Sequence, residues 1–512
     1  MRGRIHSARL TRSRRAHVLA GGLLLSVVLV AGCTGTSGSP ATTAPAGSAP
    51  SGVVSGCLPP QASCYAPHLF RVAYGIQPLL DSGTNGHGDT VTVVSPTPSA
   101  SAPAAPPPGH PPAATDVRQD LKAFDSMFKL PTARIQVVTT LAGAASPWQA
   151  TGEEVQDFEI VHTVAPAATL RVVLLPHNVL QNATTATADM IAALRLAVSH
   201  TDVASISFSL GEHYFSRVQV AQMHSILLGA AAHHVTVIAS SGDSGASSDP
   251  RWGTPFKEVS LPASDPLVLA VGGTALTANP STGAYLGETA WGGQTGLVQA
   301  GGGSGGGFSH LYARPAYQDG VPGMGAMRGV PDVAGAAGGA GGDLSVVFAD
   351  GSKTWVVQAG GTSASAPLWG GLITLADQYA RHDLGFVNPA IYRIASGSSY
   401  HKAFHAITDG SNTVTIGTVT VTGYQAGPGW NPVTGWGSPA AQVLVPLLAR
   451  LPAGRRARGL RHDPLPSGSS NVTYRPHGPS GCRSPRTRCF SMANGRKGGI
   501  FVIADTPPTP AD

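Results

Sequence analysis

The sequence predicts an α/β fold, in which helices flank a doubly wound and mostly parallel sheet within a single large domain. Short runs rich in Val, Ile and Leu recur along the central part of the chain, as is typical of strands buried on both faces. Helical patterns lie between some of these runs, and strands that alternate with helices form parallel sheets. Only 12% of the 512 residues are charged, while 65 are Gly and 42 are Pro, which is typical of loop-rich exported proteins rather than of nucleic-acid-binding ones.

Six apolar runs are predicted to be strands of this sheet, at residues 90–94, 134–140, 169–175, 204–210, 235–239 and 267–271. Two helical patterns are predicted at residues 187–200 and 215–234. Sites in doubly wound sheets lie beyond the carboxyl ends of the strands. We therefore expect functional residues in the segments that follow these runs.

Residues 1–32 are predicted to be a signal peptide with a lipobox. Basic residues precede an apolar run at residues 18–30, and VAGC stands at residues 30–33. Small residues before a cysteine resemble the site that lipoprotein signal peptidase accepts, so Cys33 would carry a lipid anchor. The alternative is an ordinary signal peptide that is cleaved nearby. We expect an exported chain that is anchored to the membrane at Cys33 or secreted.

Three further segments differ in composition from the predicted domain at residues 57–451. Residues 33–56 are rich in Ser, Thr, Pro and Gly and are predicted to be a tether, because they cannot bury enough apolar surface to fold. Residues 95–114 are predicted to be a proline-rich loop inside the domain, and residues 452–512 a basic, mostly irregular tail. The net charge of +6 comes largely from the leader and the tail, so we expect no nucleic-acid partner.

The remaining cysteines form two pairs of equal spacing, Cys57 with Cys64 and Cys482 with Cys489. In an exported chain such cysteines are expected to form disulfides. Two local loops are the favoured connectivity, although three connectivities are open. Metal binding is the weaker interpretation, because neither pair has Cys-x-x-Cys spacing or a histidine at ligand distance.

The segment GGTSASAP at residues 360–367 has the pattern that displays a nucleophile. Its glycine turn lets the backbone change direction just before an apolar helix, so the Ser363 hydroxyl is expected at a helix N-terminus. Free backbone N–H groups there should point at any oxyanion that forms beside the serine. A nucleophilic serine also needs a base, which another part of the chain must supply.

Asp81 and His87 are the first candidates for the partners of this serine. They lie only six positions apart, in one turn-rich segment before the first predicted strand. A triad of Asp, His and Ser takes its Asp and His from distant elements, so this spacing does not fit. We interpret the segment as a surface turn.

The acidic pair Glu153 and Asp157 is the alternative, in GEEVQDFE at residues 152–159. Residues four apart share one face of a helix. Crowded like charges raise the pKa of one carboxyl, which leaves a carboxylate that can accept the serine proton while its partner orients it. The competing interpretation is a solvated acidic helix face, which is the commoner origin of this spacing.

Asp243 lies in GDSG at residues 242–245, directly after the predicted strand at 235–239. The sequence is consistent with a plain tight turn. A protonated Asp243 could instead donate a hydrogen bond to an oxyanion, and an acid in that role would favour activity at acidic pH.

Together these motifs resemble the sedolisin family of serine-carboxyl peptidases. The resemblance covers residues 57–451, with supporting segments at residues 261–264, 270–274, 305–309 and 328–333. It implies a subtilisin-like form of the predicted sheet. It also implies four roles: Ser363 as nucleophile, Glu153 as general base, Asp157 as the residue that orients Glu153, and Asp243 as the oxyanion-hole residue.

The calcium site that is usual in the family is degraded here. Its counterparts are residues 405–408 and 427–431, in which Ala406 and Asn431 replace both carboxylates. Calcium prefers charged oxygen ligands, so we expect a weak or absent ion and no certain cofactor. The remaining candidate ligands are the carbonyls of Ile407, Gly427 and Gly429, the Asn431 amide, and Asp409 as a displaced substitute.

Two other departures concern control of activity and the acid network. The short tether leaves no room for the folded prodomain that family members usually carry, so a separate prodomain-like protein is one expected partner. Where some members extend the acid network with a glutamate, this chain has Ser95. That extension is expected to be missing.

The leading hypothesis is an exported serine-type endopeptidase that acts on protein or peptide substrates at acidic pH. The alternative is a catalytically silent surface lipoprotein that binds peptides in the same cleft. The complete set of four site residues favours the enzyme, whereas the degraded calcium site and the missing prodomain favour the alternative. A third hypothesis, a structural cell-envelope protein that is held by its basic tail, is supported by composition alone.

Overall fold

The structure is a computed structural model that describes most of the predicted domain. The described residues are 53–57, 62–96, 111–112, 114–140, 148–150, 152–175, 183–248, 256–292, 302–338, 344–416, 419–451, 487–491 and 500–504. They belong to two compact units, Met1–Gly459 and Leu460–Asp512. The predicted leader, the lipobox at Cys33 and most of the tether and of the proline-rich loop lie outside the described residues. Within them, no helix is both long and apolar enough to cross a membrane.

Ten helices occur in the described residues: α1 (Pro67–Ala73), α2 (Gln77–Asp81), α3 (Val117–Phe128), α4 (Gly152–Val164), α5 (Ala183–Ala197), α6 (Arg217–Ala232), α7 (Thr362–Ala380), α8 (Asn388–Ala395), α9 (Tyr400–Ala403) and α10 (Ala441–Arg450). The two predicted helices are α5 and α6, with ends shifted by a few residues. Ser216 and Gln219 form a capping box that fixes the start of α6.

The described strands of the first unit are β1 (Val53–Cys57), β2 (Ala62–Tyr65), β3 (Thr90–Pro96), β4 (Thr115–Asp116), β5 (Arg134–Thr140), β6 (Gln149–Ala150), β7 (Thr169–Leu175), β8 (Val203–Ile206), β9 (Leu210–Gly211), β10 (Thr236–Ser240), β11 (Ser260–Leu261), β12 (Leu269–Ala278), β13 (Tyr285–Ala290), β14 (Gly307–Ala313), β15 (Met327–Val330), β16 (Val333–Ala336), β17 (Ser345–Asp350), β18 (Lys353–Gln358), β19 (Phe404–His405), β20 (Val414–Ile416), β21 (Val419–Val421) and β22 (Ser438–Pro439).

An eight-stranded sheet forms the centre of the first unit, and the prediction of a mostly parallel sheet is confirmed. Strands β5, β7, β3, β8, β10 and β12 lie side by side in this order, each parallel to the next. Strand β16 adds a further parallel pair to β12, and β13 pairs with β12 in the antiparallel direction. The chain enters at β3, builds outward to β5 and β7, and then continues from β8 on the other side. This reversal is the winding that places sites at the carboxyl ends of the strands.

The central strands of the sheet, such as β8 and β10, are buried on both faces, as is typical of parallel strands between two helical layers. Alternate residues of one strand face opposite cores: Val93 packs with the residues of α4 and α7, while Val94 packs with those of α5 and α6. Ile238 and Ala239 in β10 divide in the same way. The two helical layers are therefore held by a single set of strands.

Helix α7 runs through the larger core and is buried from Thr362 to Asp377. The indole nitrogen of Trp369 donates to the carbonyl of Ala334 at 2.8 Å, so its polar edge is satisfied inside the core. A helix with every side buried has little freedom to shift. Ser363, the second residue of this helix, therefore lies on an element that is buried on all sides.

The cysteines and the tail are described only in part. Strands β1 and β2 form an antiparallel pair that brings the segments of Cys57 and Cys64 together, and Cys64 is disulfide-bonded. In the second unit, β23 (Thr487–Ser491), which contains Cys489, pairs with β24 (Ile500–Ala504), so part of the tail that was expected to be mostly irregular is a hairpin. Cys482 lies outside the described residues, and the connectivity stays a prediction.

Candidate active site

The acidic pair lies on a buried helix, not on a solvated face. Every residue of α4 from Glu153 to Val164 is buried. Buried carboxyl groups are rare in proteins, because each one costs several kcal/mol to desolvate when ionised. Asp157 is completely buried, and neither of its carboxyl oxygens makes a hydrogen bond of ordinary geometry to the described residues.

Ser363 stands one residue inside the N-terminus of α7, as predicted. Gly361 precedes this helix with φ 77° and ψ 165°, a conformation that favours glycine. A Cβ at Gly361 would lie 2.6 Å from Oδ2 of Asp243, so the absence of a side chain also lets that carboxyl approach the turn. Ser363 is only 9% exposed, and its hydroxyl lies within hydrogen-bonding reach of the Glu153 carboxyl.

Ser207 is a further partner of Ser363, and it follows directly after β8. The Ser363 hydroxyl donates to the carbonyl of Ser207 at 3.1 Å, and the Ser207 hydroxyl donates to the carbonyl of Ser363 at 3.3 Å. The second bond has a local cause: Pro367 has no N–H, so the Ser363 carbonyl lacks the usual helical donor four residues later.

The predicted strand at residues 204–210 is wrong in its extent, because it is interrupted where Ser207 contacts the serine turn. Strand β8 ends at Ile206, and pairing resumes only at Leu210 in β9. Ser207 between them leaves the sheet and bonds to the serine turn instead. Burial raises the pKa of Asp157, and the nearby Ser207 hydroxyl offsets part of that rise.

Asp243 lies in the turn after β10 and is partly exposed. Its Oδ1 accepts two hydrogen bonds from Thr362, from the backbone N–H and from the hydroxyl, both at 2.8 Å. The expectation that the first N–H groups of α7 are free is therefore wrong for Thr362, and Ala364 donates its N–H to the carbonyl of Gly361. The carboxyl of Asp243 occupies the position at the helix N-terminus that an anion would take.

The glycine-rich run is packed in its described part. The N–H of Gly303 donates to the carbonyl of Asp243 at 2.8 Å, and the N–H of Gly305 donates to that of Gly242 at 2.7 Å. A Cβ at Gly305 would lie 2.1 Å from the carbonyl oxygen of Ser241, so only glycine fits. The run thus supports the Asp243 turn from behind.

Burial raises the pKa of both carboxyl groups in the pair. For Glu153 burial is the largest cause, the hydrogen bond from Ser363 lowers the pKa, and the charges of Asp243 and Glu154 raise it. For Asp157 burial is again the largest cause, and the charge of Glu153 raises its pKa further. Two carboxyl groups in this position share protons and do not both ionise in acidic solution.

The rejected Asp and His candidates lie apart from this cluster. Asp81 is the exposed last residue of α2, where it accepts a hydrogen bond from Gln77, and His87 is also exposed. They belong to a surface segment, as the sequence indicated.

The residues of the degraded calcium site do not fit a calcium ion. The side-chain nitrogen of Asn431 donates to the carbonyls of Ile407 and Gly427, at 3.3 and 3.1 Å. An N–H donor therefore occupies the place on these carbonyls that a cation would need. Asp409 is exposed and its carboxyl accepts from the N–H of Gly410. Gly429 adds a turn with φ 75° but no charge.

Sequence reasoning missed two residues of the site, Ser207 and Gln156. Ser207 carried one usable signal, because it follows a buried strand at the edge where sites occur. Gln156 carried no usable signal in the sequence, because a single glutamine among acidic residues is typical of an ordinary helix. Its amide pairs with the backbone of Gly360, 204 positions away in the sequence.

The chain matches a family model and several known proteins. The subtilase family model matches residues 136–390. Kumamolisin of Bacillus sp. (strain MN-32) is 36% identical over 318 residues, which are 60% of this chain and 52% of that protein. Tripeptidyl-peptidase 1 of Homo sapiens is 30% identical over 271 residues, or 48% of this chain and 43% of that protein. The chain spans about half the length of these curated relatives.

A solved structure supports the same relationship. Pseudomonas sedolisin (serine-carboxyl proteinase), complexed with two molecules of pseudo-iodotyrostatin, superimposes with a TM-score of 0.60 and 25% identity, over 75% of this chain and 97% of that one. The fold and the site thus define a subtilisin-like protein in which buried carboxyl groups adjoin the serine. The match to kumamolisin, to tripeptidyl-peptidase 1 and to the sedolisin structure supports assignment of the chain to the sedolisin family.

Proposed function

We propose that this protein is an exported endopeptidase that hydrolyses peptide bonds at acidic pH through a Ser/Glu/Asp triad. The observation that carries this function is the position of the Ser363 hydroxyl beside the buried Glu153 carboxyl, which can accept its proton. The names of the relatives, which include a serine-carboxyl proteinase, support the same class of reaction. Protein or peptide substrates follow from that reaction.

In the proposed reaction Ser363 Oγ attacks the carbonyl carbon of the peptide bond while its proton passes to Glu153. The tetrahedral intermediate collapses when Glu153 returns this proton to the leaving amine, which leaves an acyl ester on Ser363. Water then attacks the ester with Glu153 again accepting a proton. The bond between Ser363 Oγ and the acyl carbon then breaks, Glu153 returns its proton to Ser363 Oγ, and the carboxylic acid product departs.

Glu153 must be ionised to act as the base, although burial raises its pKa. This requirement is met if Glu153 and Asp157 together hold one proton, so that one of the two carboxyl groups is ionised. In our proposal the proton resides on Asp157, whose pKa the Glu153 charge raises further, and the hydrogen bond from Ser363 favours the ionised form of Glu153. Asp157 thereby orients Glu153 and prevents a second negative charge.

Asp243 is proposed to stabilise the oxyanion. Because its Oδ1 accepts from both donors of Thr362, a neutral Asp243 would carry its proton on Oδ2. That oxygen faces the Gly361 turn beside the nucleophile. Donation from Oδ2 requires the protonated acid, which is why activity is proposed to fall as the pH rises.

Export and anchoring are proposals from the leader sequence alone. Lipidation of Cys33 would hold the domain at a membrane through the tether, and cleavage of an ordinary signal peptide would release it. Labelling of the expressed protein with a radioactive fatty acid, beside a Cys33→Ala variant, distinguishes the two fates.

Cleavage of a denatured protein tests the enzyme against its alternative. The full chain is compared with its Ser363→Ala and Ser365→Ala variants. Ser365 lies on the same helix but bonds to the carbonyls of Gly335 and Ala336. We expect Ser363→Ala to lose activity by at least about 10³-fold and Ser365→Ala to remain within about 5-fold. Peptide binding without cleavage by the parent would support the silent surface lipoprotein instead.

A further inference from the structure

We propose that Gln156 is a positioning residue, which fixes the Glu153 carboxyl against the Ser363 hydroxyl by holding the peptide groups of Gly360. This inference rests on the proposed function, because it concerns how the same site is kept in register. It assigns a role to a buried amide that no acid–base step uses.

The contact is a closed pair of hydrogen bonds. Gly360 donates its N–H to Oε1 of Gln156 at 2.8 Å, and Nε2 of Gln156 donates to the carbonyl of Gly360 at 3.1 Å. Both bonds are buried, and Gln156 is only 8% exposed. The two bonds resemble the paired hydrogen bonds between neighbouring strands, so they fix the orientation of the Gln156 amide relative to Gly360 as well as the distance between them.

The position of this pair couples the two halves of the site. Gln156 lies three residues after Glu153 and one before Asp157 on α4, while Gly360 lies three residues before Ser363. Any movement of α4 along the serine turn must therefore stretch or break the pair. The turn is held from other sides by Ala337, whose carbonyl accepts from Gly361 at 2.7 Å, and by Asp243 on Thr362. Of these three anchors only Gln156 belongs to the helix of the base.

A second glutamine supplies a matched control. Gln378, near the far end of α7, accepts at Oε1 from the N–H groups of Asn85 and Gly86 at 2.6 and 2.7 Å. Its Nε2 donates to the carbonyl of Gly83 at 3.2 Å. It clamps a backbone segment in the same manner, but that segment carries none of the proposed site residues.

The test compares Gln156→Met and Gln378→Met in the full chain, because methionine keeps the length of the side chain and removes both hydrogen-bonding atoms. We measure kcat, KM and melting temperature. Misplacing reacting groups by about 1 Å costs on the order of 10²-fold in rate, so Gln156→Met should lower kcat at least about 30-fold with KM within about 3-fold. Gln378→Met should lose comparable stability while keeping kcat within about 3-fold.

Gln156→Glu supplies a readout that a merely structural role would not move. A protonated Glu at this position can accept from the N–H and donate to the carbonyl of Gly360, whereas an ionised one cannot donate. Relative to the parent, its kcat should therefore be near normal at the acid end and fall with rising pH. A new negative charge acting only on Glu153 would do the opposite, because it would raise the pKa of Glu153 and weaken activity at the acid end.

The outcomes separate the two proposals. A parent without peptidase activity refutes the proposed function and this inference with it. An active parent overturns the inference alone if Gln156→Met keeps its kcat, or if both methionine variants lose kcat in proportion to their melting temperatures. A selective loss in Gln156→Met, with acid rescue in Gln156→Glu, is the result expected.

Discussion

At the scale of single residues, the site depends on a few positions where a side chain is excluded or a donor is missing. Gly361 lets the Asp243 carboxyl approach the serine turn. Pro367 leaves the Ser363 carbonyl free for Ser207. Neither residue contributes a polar side chain, but both determine which groups lie next to Ser363.

Gly361→Ala should impair both activity and stability. The left-handed conformation costs an alanine roughly 1–3 kcal/mol, and the new methyl group would displace the Asp243 carboxyl. We expect kcat/KM to fall at least about 10-fold. Gly351→Ala is the control, since it has φ 60° with open space around the position. Equal loss of activity in both variants would refute the steric explanation.

Glu154→Gln should move the acid limb of the pH profile of kcat/KM to lower pH. The charge of Glu154 raises the pKa of Glu153, so removing that charge lets Glu153 ionise in more acidic solution. Glu159→Gln changes a buried acid on the same helix that is not among the groups that shift Glu153. An unmoved acid limb in Glu154→Gln, or an equal shift in Glu159→Gln, would count against this electrostatic coupling.

At the scale of elements, the sequence was informative about strands and weak about connections. The runs at 134–140 and 169–175 are β5 and β7 with the predicted bounds, because both are rich in the β-branched residues and leucine that favour strands. Strand β5 lies at the edge of the sheet, where Arg134 and Gln136 are exposed. The run at 204–210 is interrupted, because Ser207 forms bonds to a helix 156 positions further on. Such partners cannot be inferred from local composition. The same applies to Gln156, whose role exists only after α4 and the serine turn have met.

The segment around Asn431 should fold without calcium. Its amide already satisfies the carbonyls of Ile407 and Gly427, so a chelator should leave the melting temperature of the parent unchanged. The double variant Ala406→Asp/Asn431→Asp supplies two carboxylates, and its melting temperature should rise when calcium is added. A chelator that destabilises the parent would contradict this account of the segment.

At the scale of the whole molecule, many acidic side chains are buried with raised pKa values. Burial raises the pKa of Asp89 and of Asp120 to about 7 in each case, and raises that of Glu159 well above its usual value. A carboxyl group whose pKa is raised by folding stabilises the fold in its protonated form. The fold is thus suited to acidic solution independently of the proposed reaction.

Stability should therefore fall as the pH rises. The contribution of Asp89 and Asp120 is complete below the unfolded pKa near 4 and is lost as the pH passes through about 7. With Ser363→Ala to prevent self-cleavage, we expect the melting temperature at pH 8 to lie at least about 5 °C below that at pH 4. Adding Asp120→Asn should flatten part of this decline. A melting temperature that is higher at pH 8 would contradict the assignment.

The most direct test of the central claim is to identify the residue that carries the acyl group. The full chain is mixed with an activated peptide ester, quenched in strong acid during the first turnover before the acyl group is hydrolysed, and mapped by mass spectrometry. We expect one acyl ester, on Ser363, formed rapidly by the parent and much more slowly by Glu153→Gln. An active parent with the acyl group on another residue, or with equal rates of acylation in the two proteins, would contradict the proposed triad.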